Sequence, residues 1–318
     1  MKKVLLAAVS AMLALALGAC SLADEPAHVY ALKGPTGIGM TGMMRDHADA
    51  YEFTLCGGAD EIVAAIASGS ADIAACPTNL AATLYGKTNG GVRLLALNTL
   101  GVLHVVTSDA SIQSAEDLAG RTVYATGQAS VPEYVIDYIL EQKGLTDSVK
   151  IEYVAEHSEL AAMLAAGKVE TGILPEPHVT SAMMQSDDLR AALDVTALFE
   201  EAARAAGNED MVLSMGCVIV RAEFAADHPE QVAAFMDHYA ASVQFVNTDT
   251  HEAAQQAETF GVMPKAAAAE RAIPNCHIVF VEGAAMRAQI EPLYALLFDA
   301  NPASIGGAMP GDDFYYVR

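Results

Sequence analysis

Hydrophobic residues follow the same helix-then-strand pattern in two segments of the chain, residues 59–84 and residues 157–182, which align without a gap. Each segment opens with apolar residues spaced i, i+3, i+4, which predicts an amphipathic helix. A glycine suited to a helix C-terminus follows, Gly69 in the first copy and Gly167 in the second. A short apolar strand and a proline-led loop complete each copy. The chain therefore contains a repeated helix, strand and loop.

The similarity continues upstream of both copies. Residues 29–31 and 123–125 are short apolar strands, and each precedes a glycine-containing loop and a helical stretch. Each half therefore predicts a β-α-β-α-β unit with right-handed crossovers and parallel strands. We expect an α/β protein of two facing lobes, each a mainly parallel sheet flanked by helices.

Composition agrees with two lobes and narrows the partners. A chain of 318 residues with 53% hydrophobic residues can fill two cores, since domains average roughly 150 residues. The formal net charge of −23 argues against binding to nucleic acid or to an anionic membrane surface.

The N-terminus predicts export. Residues 1–20 combine two lysines, an apolar run and a small-residue end, as secretory signal peptides do. The apolar run is shorter than the roughly 20 residues that a membrane span needs. Leu17–Cys20 also resembles the bacterial lipobox, so Cys20 is predicted to carry a lipid anchor. Residues 21–27 would then be a polar tether.

Cysteine and histidine spacing predicts neither a metal site nor a cofactor. Four cysteines remain after Cys20, and they allow three complete disulfide pairings or free thiols: Cys56, Cys76, Cys217 and Cys276. No CxxC pair is present, and the nine histidines include no HExxH or HxH pair. The state of the cysteines stays open at this point.

Three segments together resemble a known family: EDLAGRTVYATGQAS, AAGKVETGILPEP and VIVRAEFAADHPEQVAAFMDHY. Their order and spacing are similar to those of substrate-binding proteins of bacterial ABC importers of the nitrate, sulfonate and taurine type. The resemblance implies a type II periplasmic binding fold with a ligand cleft between two lobes. It places residues 28–105 and 214–318 in lobe 1 and residues 106–213 in lobe 2, with the hinge near residues 104–108 and 213–218.

The same resemblance implies a location and partners. We expect a monomer that is lipid-anchored on the outer face of the cytoplasmic membrane, or periplasmic, and that docks on an ABC permease and its ATPase. Its function would be the extracytoplasmic capture of a small organic solute, without catalysis.

Four loops that follow predicted strands are candidates for the ligand site, because ligands of open α/β sheets collect at the carboxyl ends of strands. They are Pro35–Gly39, Pro77–Asn79, Gly127–Ser130 and Pro175–His178. The candidate ligand-binding residues in them are Thr36, Gly37, Thr78, Asn79, Gln128, Ser130, Glu176 and His178.

None of these loops contains Arg or Lys. The site is therefore predicted to lack a cation, which favours a neutral or weakly basic nitrogen heterocycle, such as a pyrimidine of the thiamine-precursor type. Nitrate, a sulfonate or taurine held by backbone amides is the alternative. An enzyme of the same fold would need a reactive pair, such as Cys76 with His178, and a lipoprotein sensor would share every feature of the importer component.

Overall fold

A computed structural model describes residues 25–318, so the predicted signal peptide and Cys20 lie outside the described residues. The first elements are β1 (Ala27–Leu32), α1 (Pro35–Ile38), α2 (Thr41–Asp46), β2 (Tyr51–Cys56), α3 (Ala59–Ser68), β3 (Ile73–Pro77), α4 (Thr78–Lys87) and β4 (Val92–Leu100). Within residues 25–318, no helix is both long enough and apolar enough to cross a membrane.

The middle of the chain holds β5 (Leu103–Thr107), a 3-10 turn (Ala115–Leu118), β6 (Thr122–Ala125), α5 (Val131–Gln142), β7 (Lys150–Tyr153), α6 (His157–Ala165), β8 (Thr171–Pro175), α7 (His178–Met183), β9 (Arg190–Asp194) and α8 (Val195–Ala205). The remainder holds β10 (Ser214–Arg221), α9 (Ala222–Asp227), α10 (Pro229–Thr248), α11 (Thr250–Thr259), α12 (Ala266–Ala272), a 3-10 turn (Ile273–Asn275), β11 (Ile278–Glu282), α13 (Gly283–Ala300) and the 3-10 turns Pro302–Ile305 and Asp312–Phe314.

The predicted repeat is present in the fold. Helix α3 and strand β3 correspond to α6 and β8, and the two intervening glycines are left-handed, with φ of 75° at Gly69 and 65° at Gly167. In each half the first strand lies between the other two, in the orders β2-β1-β3 and β7-β6-β8, and all of these pairs are parallel. The β-α-β-α-β prediction is confirmed for both halves.

Two separate sheets result, a six-stranded sheet in the order β11-β4-β10-β3-β1-β2 and a five-stranded sheet in the order β7-β6-β8-β5-β9. Both sheets are mixed, although most strands in each sheet run in the same direction. Strands β10 and β11 run antiparallel to their neighbours in the first sheet, and β5 does so in the second. These strands lie outside the repeats, so the crossover rule of a β-α-β unit does not set their direction.

The chain passes from the first sheet to the second at Gly101 and Val102, between β4 and β5. Strand β5 is a regular member of the second sheet, so this crossing precedes the predicted boundary at residue 105. The return leads to β10, which pairs with β3 and β4 of the first sheet. The limits of the two lobes and the hinge positions stay predictions.

The first crossing is tightly packed. A Cβ atom on Gly101 would lie 2.1 Å from Oγ1 of Thr196 and 2.9 Å from Cδ2 of Leu213. On another side, Nδ1 of His277 lies 2.6 Å from the carbonyl oxygen of Gly101, with which it can form a hydrogen bond. The amide of Leu100 also donates to the carbonyl of His277. Glycine is required here because a Cβ atom would overlap Thr196 and Leu213.

All four cysteines of the described residues are buried free thiols. Cys217 of β10 lies opposite Cys76 of β3, and its Sγ donates to the carbonyl oxygen of Cys76 at 3.6 Å. Burial raises the pKa of the thiols of Cys217 and Cys276. Of the alternatives left open by the sequence, the structure contains free thiols and no disulfide in residues 25–318.

Candidate functional site

A cleft of about 700 Å³ lies between the two sheets. It brings together the loop after β1 of the first sheet and the residues that follow β7 and β8 of the second sheet. Parallel strands collect ligands at this end because the following loops and helix starts present free backbone amides. The lining consists of Lys33, Gly34, Pro35, Thr36, Thr99, Val102, His157, Pro175, Glu176, Pro177, His178, Met215, Glu258, Gly261, Val262, Met263 and Pro264.

Three of the eight predicted ligand-binding residues line this cleft: Thr36, Glu176 and His178. Gly37 is buried within the loop Pro35–Gly39, and an added Cβ would lie 2.5 Å from the carbonyl oxygen of Leu32. Gln128 is exposed, and Ser130 uses its hydroxyl to donate to the carbonyl of Gly127 at 2.5 Å. Neither lines the cleft.

The loop after β3 is engaged in internal hydrogen bonds. Thr78 is buried, its hydroxyl lies 3.1 Å from Oγ of Ser214, and its carbonyl accepts from the hydroxyl of Tyr294 at 2.9 Å. The side-chain amide of Asn79 donates to the carbonyl of Ser304 at 3.3 Å. The structure therefore gives this loop packing contacts, and the ligand contacts of all eight residues stay predictions.

Glu176 connects the second sheet to the C-terminal part of the chain. Its side chain is buried, and its two oxygens accept hydrogen bonds from the backbone amide of Thr180 at 3.1 Å and the hydroxyl of Thr180 at 3.0 Å. The side-chain amide of Asn275 donates to it at 3.3 Å. Burial raises its pKa, although these three donors oppose the shift. Glu176 thus holds α7 and the Ile273–Asn275 turn together at the edge of the cleft.

The raised pKa of Glu176 predicts a pH dependence of stability. A carboxyl group whose folded pKa exceeds the unfolded value of about 4.3 stabilises the fold below about pH 4.3, and this contribution is lost as pH rises through the folded pKa. Glu176→Gln cannot titrate, so its free energy of unfolding should rise relative to wild type across that window. Urea unfolding from about pH 4 to pH 7 measures this, with Glu209→Gln at an exposed position as control. An unchanged difference between wild type and Glu176→Gln contradicts the prediction.

Two histidines line the cleft from the first residues of helices α6 and α7, which flank the second sheet. The ring centroids of His157 and His178 lie 5.2 Å apart, with the ring planes tilted by 41°. Nδ1 of His157 lies 2.6 Å from the hydroxyl of Thr126. Burial lowers the pKa of both rings, and the neighbouring His157 lowers the pKa of His178 further. Burial therefore favours the uncharged form of both imidazoles.

His157 was missed by sequence reasoning, although a signal was available. It is the first residue of the second repeat copy and begins the helix after β7, at the carboxyl end of a parallel strand. The candidate loops followed only the first and third strands of each half. The loop after the second strand belongs to the same edge of the sheet.

The cleft also contains a cation, contrary to the prediction. Lys33 is exposed and lines the cleft two residues before the candidate loop Pro35–Gly39, which is why the loop-based argument did not include it. Within residues 25–318, Lys33 has no ion pair. The carboxylate of Glu258, at the end of α11, lies on the same lining. The cleft therefore offers one cation and two carboxyl groups.

An unpaired hydroxyl lies at the inner wall. Thr99 of β4 lines the cleft, is 2% exposed, and its Oγ1 is shielded from water without a hydrogen-bond partner in the described part of the chain. The neighbouring Asn98 is fully buried and donates to the carbonyl of Thr36 at 3.4 Å, while its Oδ1 has no partner there. A buried hydroxyl without a partner costs about 1–3 kcal/mol, so a solute that bonds to Oγ1 of Thr99 would offset part of this cost.

Metal binding finds no support in residues 25–318, where no three His, Cys, Asp or Glu side chains are arranged to hold an ion. Cys76 is fully buried in β3 and does not line the cleft, so the structure does not pair it with His178.

Residues 48–206 match the family described as the periplasmic substrate-binding protein of phosphonate ABC transporters. The chain belongs to this family. Members are solute-binding proteins, so the predicted family type and the prediction that the chain is not an enzyme are confirmed. The family implies an extracytoplasmic location.

Solved structures of the same fold support this substrate-binding protein's architecture. An ABC transporter protein from Parabacteroides distasonis is 22% identical, with a TM-score of 0.78 over 93% of this chain and 100% of the other. The aliphatic sulphonate-binding protein SsuA of Escherichia coli is 14% identical, with a TM-score of 0.70 over 93% of each chain.

A third similar structure is the alkanesulfonate-binding protein SsuA of Xanthomonas axonopodis bound to MOPS, 15% identical, with a TM-score of 0.61 over 91% of this chain and 96% of that one. No curated protein sequence matches the chain. The predicted periplasmic binding fold is thus confirmed, while these identities show the fold alone.

Proposed function

We propose that this protein is the solute-binding component of an ABC importer that captures a small organic solute between its two lobes and delivers it to a permease. The observation that carries the proposal is the cleft of about 700 Å³, which is lined by residues at the carboxyl ends of strands from two separate sheets. Binding promotes closure only if the solute contacts the closed state better than the open one. The lipid anchor at Cys20, the monomeric state and the ATPase partner are part of the same proposal.

A neutral or weakly basic nitrogen heterocycle of the thiamine-precursor type is the solute we propose first. The wall formed by Val102, Met215, Val262 and Met263 is apolar and suits the faces of a flat ring. The neutral imidazoles of His157 and His178 offer hydrogen bonds to its polar edge. Two carboxyl groups on the lining favour a weakly basic solute over an anion.

An anionic solute, a sulfonate or a phosphonate, is the second candidate because Lys33 lies on the cleft. Family membership and two sulfonate-binding neighbours of the same fold add to this candidate. The two candidates differ in whether the ammonium group of Lys33 contributes to affinity.

The test is a thermal-shift panel on residues 21–318, purified through an unfolding step to remove carried-over solute. The panel contains 4-amino-5-hydroxymethyl-2-methylpyrimidine, cytosine, taurine, methanesulfonate, methylphosphonate and nitrate. A solute at about 100 times its dissociation constant adds roughly 2.7 kcal/mol of stability, which shifts the melting temperature measurably. If none of these compounds shifts the melting temperature, both proposed solute classes are contradicted.

Lys33→Gln separates the two candidates. If the solute is an anion, the variant should bind methanesulfonate or methylphosphonate about tenfold or more weakly, because a charge-assisted hydrogen bond is lost. If it is a heterocycle, affinity should change less than threefold. Isothermal titration calorimetry measures both, with Lys87→Gln on the exposed end of α4 as the matched control.

Thr99→Val tests whether the solute uses the unpaired hydroxyl. Stability should stay equal or rise by about 1 kcal/mol, since the hydroxyl is buried without a partner. Affinity for the compound that binds wild type should fall about fivefold to tenfold if the solute bonds to Thr99. A loss of stability with unchanged affinity would assign the hydroxyl to the fold.

A further inference from the structure

The two histidines of the cleft have separate structural supports. His157 is the first residue of α6, and its Nδ1 is engaged with the buried hydroxyl of Thr126 at 2.6 Å, which leaves Nε2 free. His178 begins α7, and neither of its ring nitrogens has a hydrogen-bond partner within residues 25–318. Both rings line the cleft and face each other at 5.2 Å.

Resting on the proposed capture of a heterocycle, we propose that His157 and His178 form the specificity pair of the cleft and bind the uncharged donor-acceptor edge of the solute. A neutral imidazole keeps one acceptor nitrogen, whereas a protonated one has only donors. Thr126 can either donate to or accept from His157, so the free Nε2 can match a donor or an acceptor on the solute. An edge that carries an amino group beside a ring nitrogen, as in an aminopyrimidine, fits this pair.

Protonation of the pair should reverse its preference. A proton on one ring removes an acceptor and places a positive charge about 5 Å from the other ring, so the two rings titrate in coupled steps. The other charged groups on the lining are Lys33, Glu176 and Glu258, and Glu156 adjoins His157. Glu176 is already bonded to Thr180 and Asn275, so it does not neutralise the pair by direct contact.

The sign of the pH effect follows from the lowered pKa of both rings. Neutral imidazoles are present above the usual histidine pKa of about 6.5 and give way to charged ones as pH falls through the lower folded values. An uncharged heterocycle should therefore bind less tightly at about pH 5 than at about pH 7.5. An anion should bind more tightly at the lower pH, because the pair then adds positive charge.

The experiment measures affinity at about pH 7.5 and about pH 5 for uracil and cytosine as heterocycle probes and methanesulfonate as the anion probe. It compares wild type with His157→Gln, His178→Gln and the double variant. Glutamine keeps hydrogen-bonding groups but does not titrate. His251→Gln, at an exposed position on α11, is the control. Unfolding curves at both pH values verify that every variant is folded.

The expected result is that at least one heterocycle binds wild type about tenfold more weakly at the lower pH, while the double variant loses this dependence. Heterocycle binding with the same pH dependence in wild type and double variant overturns the specificity pair and leaves the importer proposal intact. Methanesulfonate binding that strengthens on acidification, without heterocycle binding, overturns the proposed edge recognition. Binding of no probe at either pH overturns both this inference and the proposed solute classes.

Discussion

Gly101→Ala should lower the free energy of unfolding by about 3 kcal/mol, because overpacking at a confined position costs about 1–3 kcal/mol and sometimes more. The new Cβ would meet Oγ1 of Thr196 at 2.1 Å and Cδ2 of Leu213 at 2.9 Å. The backbone at Gly101 cannot easily move away from these atoms. His277 contacts the carbonyl oxygen of Gly101, and the amide of Leu100 donates to the carbonyl of His277, so the segment is held on the other side as well. Urea unfolding of a protein that comprises residues 21–318 measures the loss.

Thr196→Ala should partly rescue Gly101→Ala. The hydroxyl of Thr196 is buried without a partner in the described part of the chain, so its removal alone should cost little. In the double variant it removes the nearest atom, and we expect about half of the lost stability to return. Gly57→Ala is the control, because its Cβ would be 3.5 Å from the nearest atom, an ordinary contact. A loss below about 0.5 kcal/mol for Gly101→Ala would mean that the crossing has room to adjust.

Gly37→Ala should cost about 2–3 kcal/mol and weaken solute binding at least tenfold. The added Cβ would lie 2.5 Å from the carbonyl oxygen of Leu32 and 3.2 Å from Cγ1 of Val262. Since the nearest atom belongs to the backbone, the loop itself must move. This loop carries Thr36 and is tied to Val262 by the amide of Gly34, so its displacement deforms the cleft.

The two measurements on Gly37→Ala distinguish packing from ligand contact. The sequence predicted Gly37 as a ligand-binding residue, whereas in the structure it is buried against the backbone of Leu32. A loss of both stability and affinity would mean that Gly37 supports the site through packing of the loop. Unchanged stability with lost affinity, measured by calorimetry with the compound that binds wild type, would return Gly37 to the ligand site. Gly57→Ala again controls for the loss of a glycine.

The repeated half of the fold was predictable because its signals are local. A helical apolar stripe, a left-handed glycine and a short apolar strand lie within 26 consecutive residues, so the pattern survives without knowledge of distant contacts. Strand β11 lies outside the repeat, and the position of Ile278–Glu282 at the sheet edge beside β4 depends on a partner far along the chain. Antiparallel pairing of β5 and β10 depends equally on partners far along the chain.

The candidate site was predictable only in part, for the same reason. Thr36 and Thr78 both follow strands of one sheet, and sequence gives them equal standing. The structure separates them because Ser214, 136 positions further along the chain, lies beside the hydroxyl of Thr78. Lys33 and Thr99 were missed because they lie on or beside strands rather than in the candidate loops.

The buried state of the four thiols has a practical consequence. Within residues 25–318 no native thiol is accessible, and burial raises the pKa of those of Cys217 and Cys276, so alkylating dyes should leave them unmodified while the protein is folded. One cysteine introduced on each side of the cleft would then provide two selective attachment points for a fluorescent pair. Residues 21–318 labelled in this way would form a reagentless sensor that reports any closure of the cleft, and none of the four buried cysteines needs to be replaced.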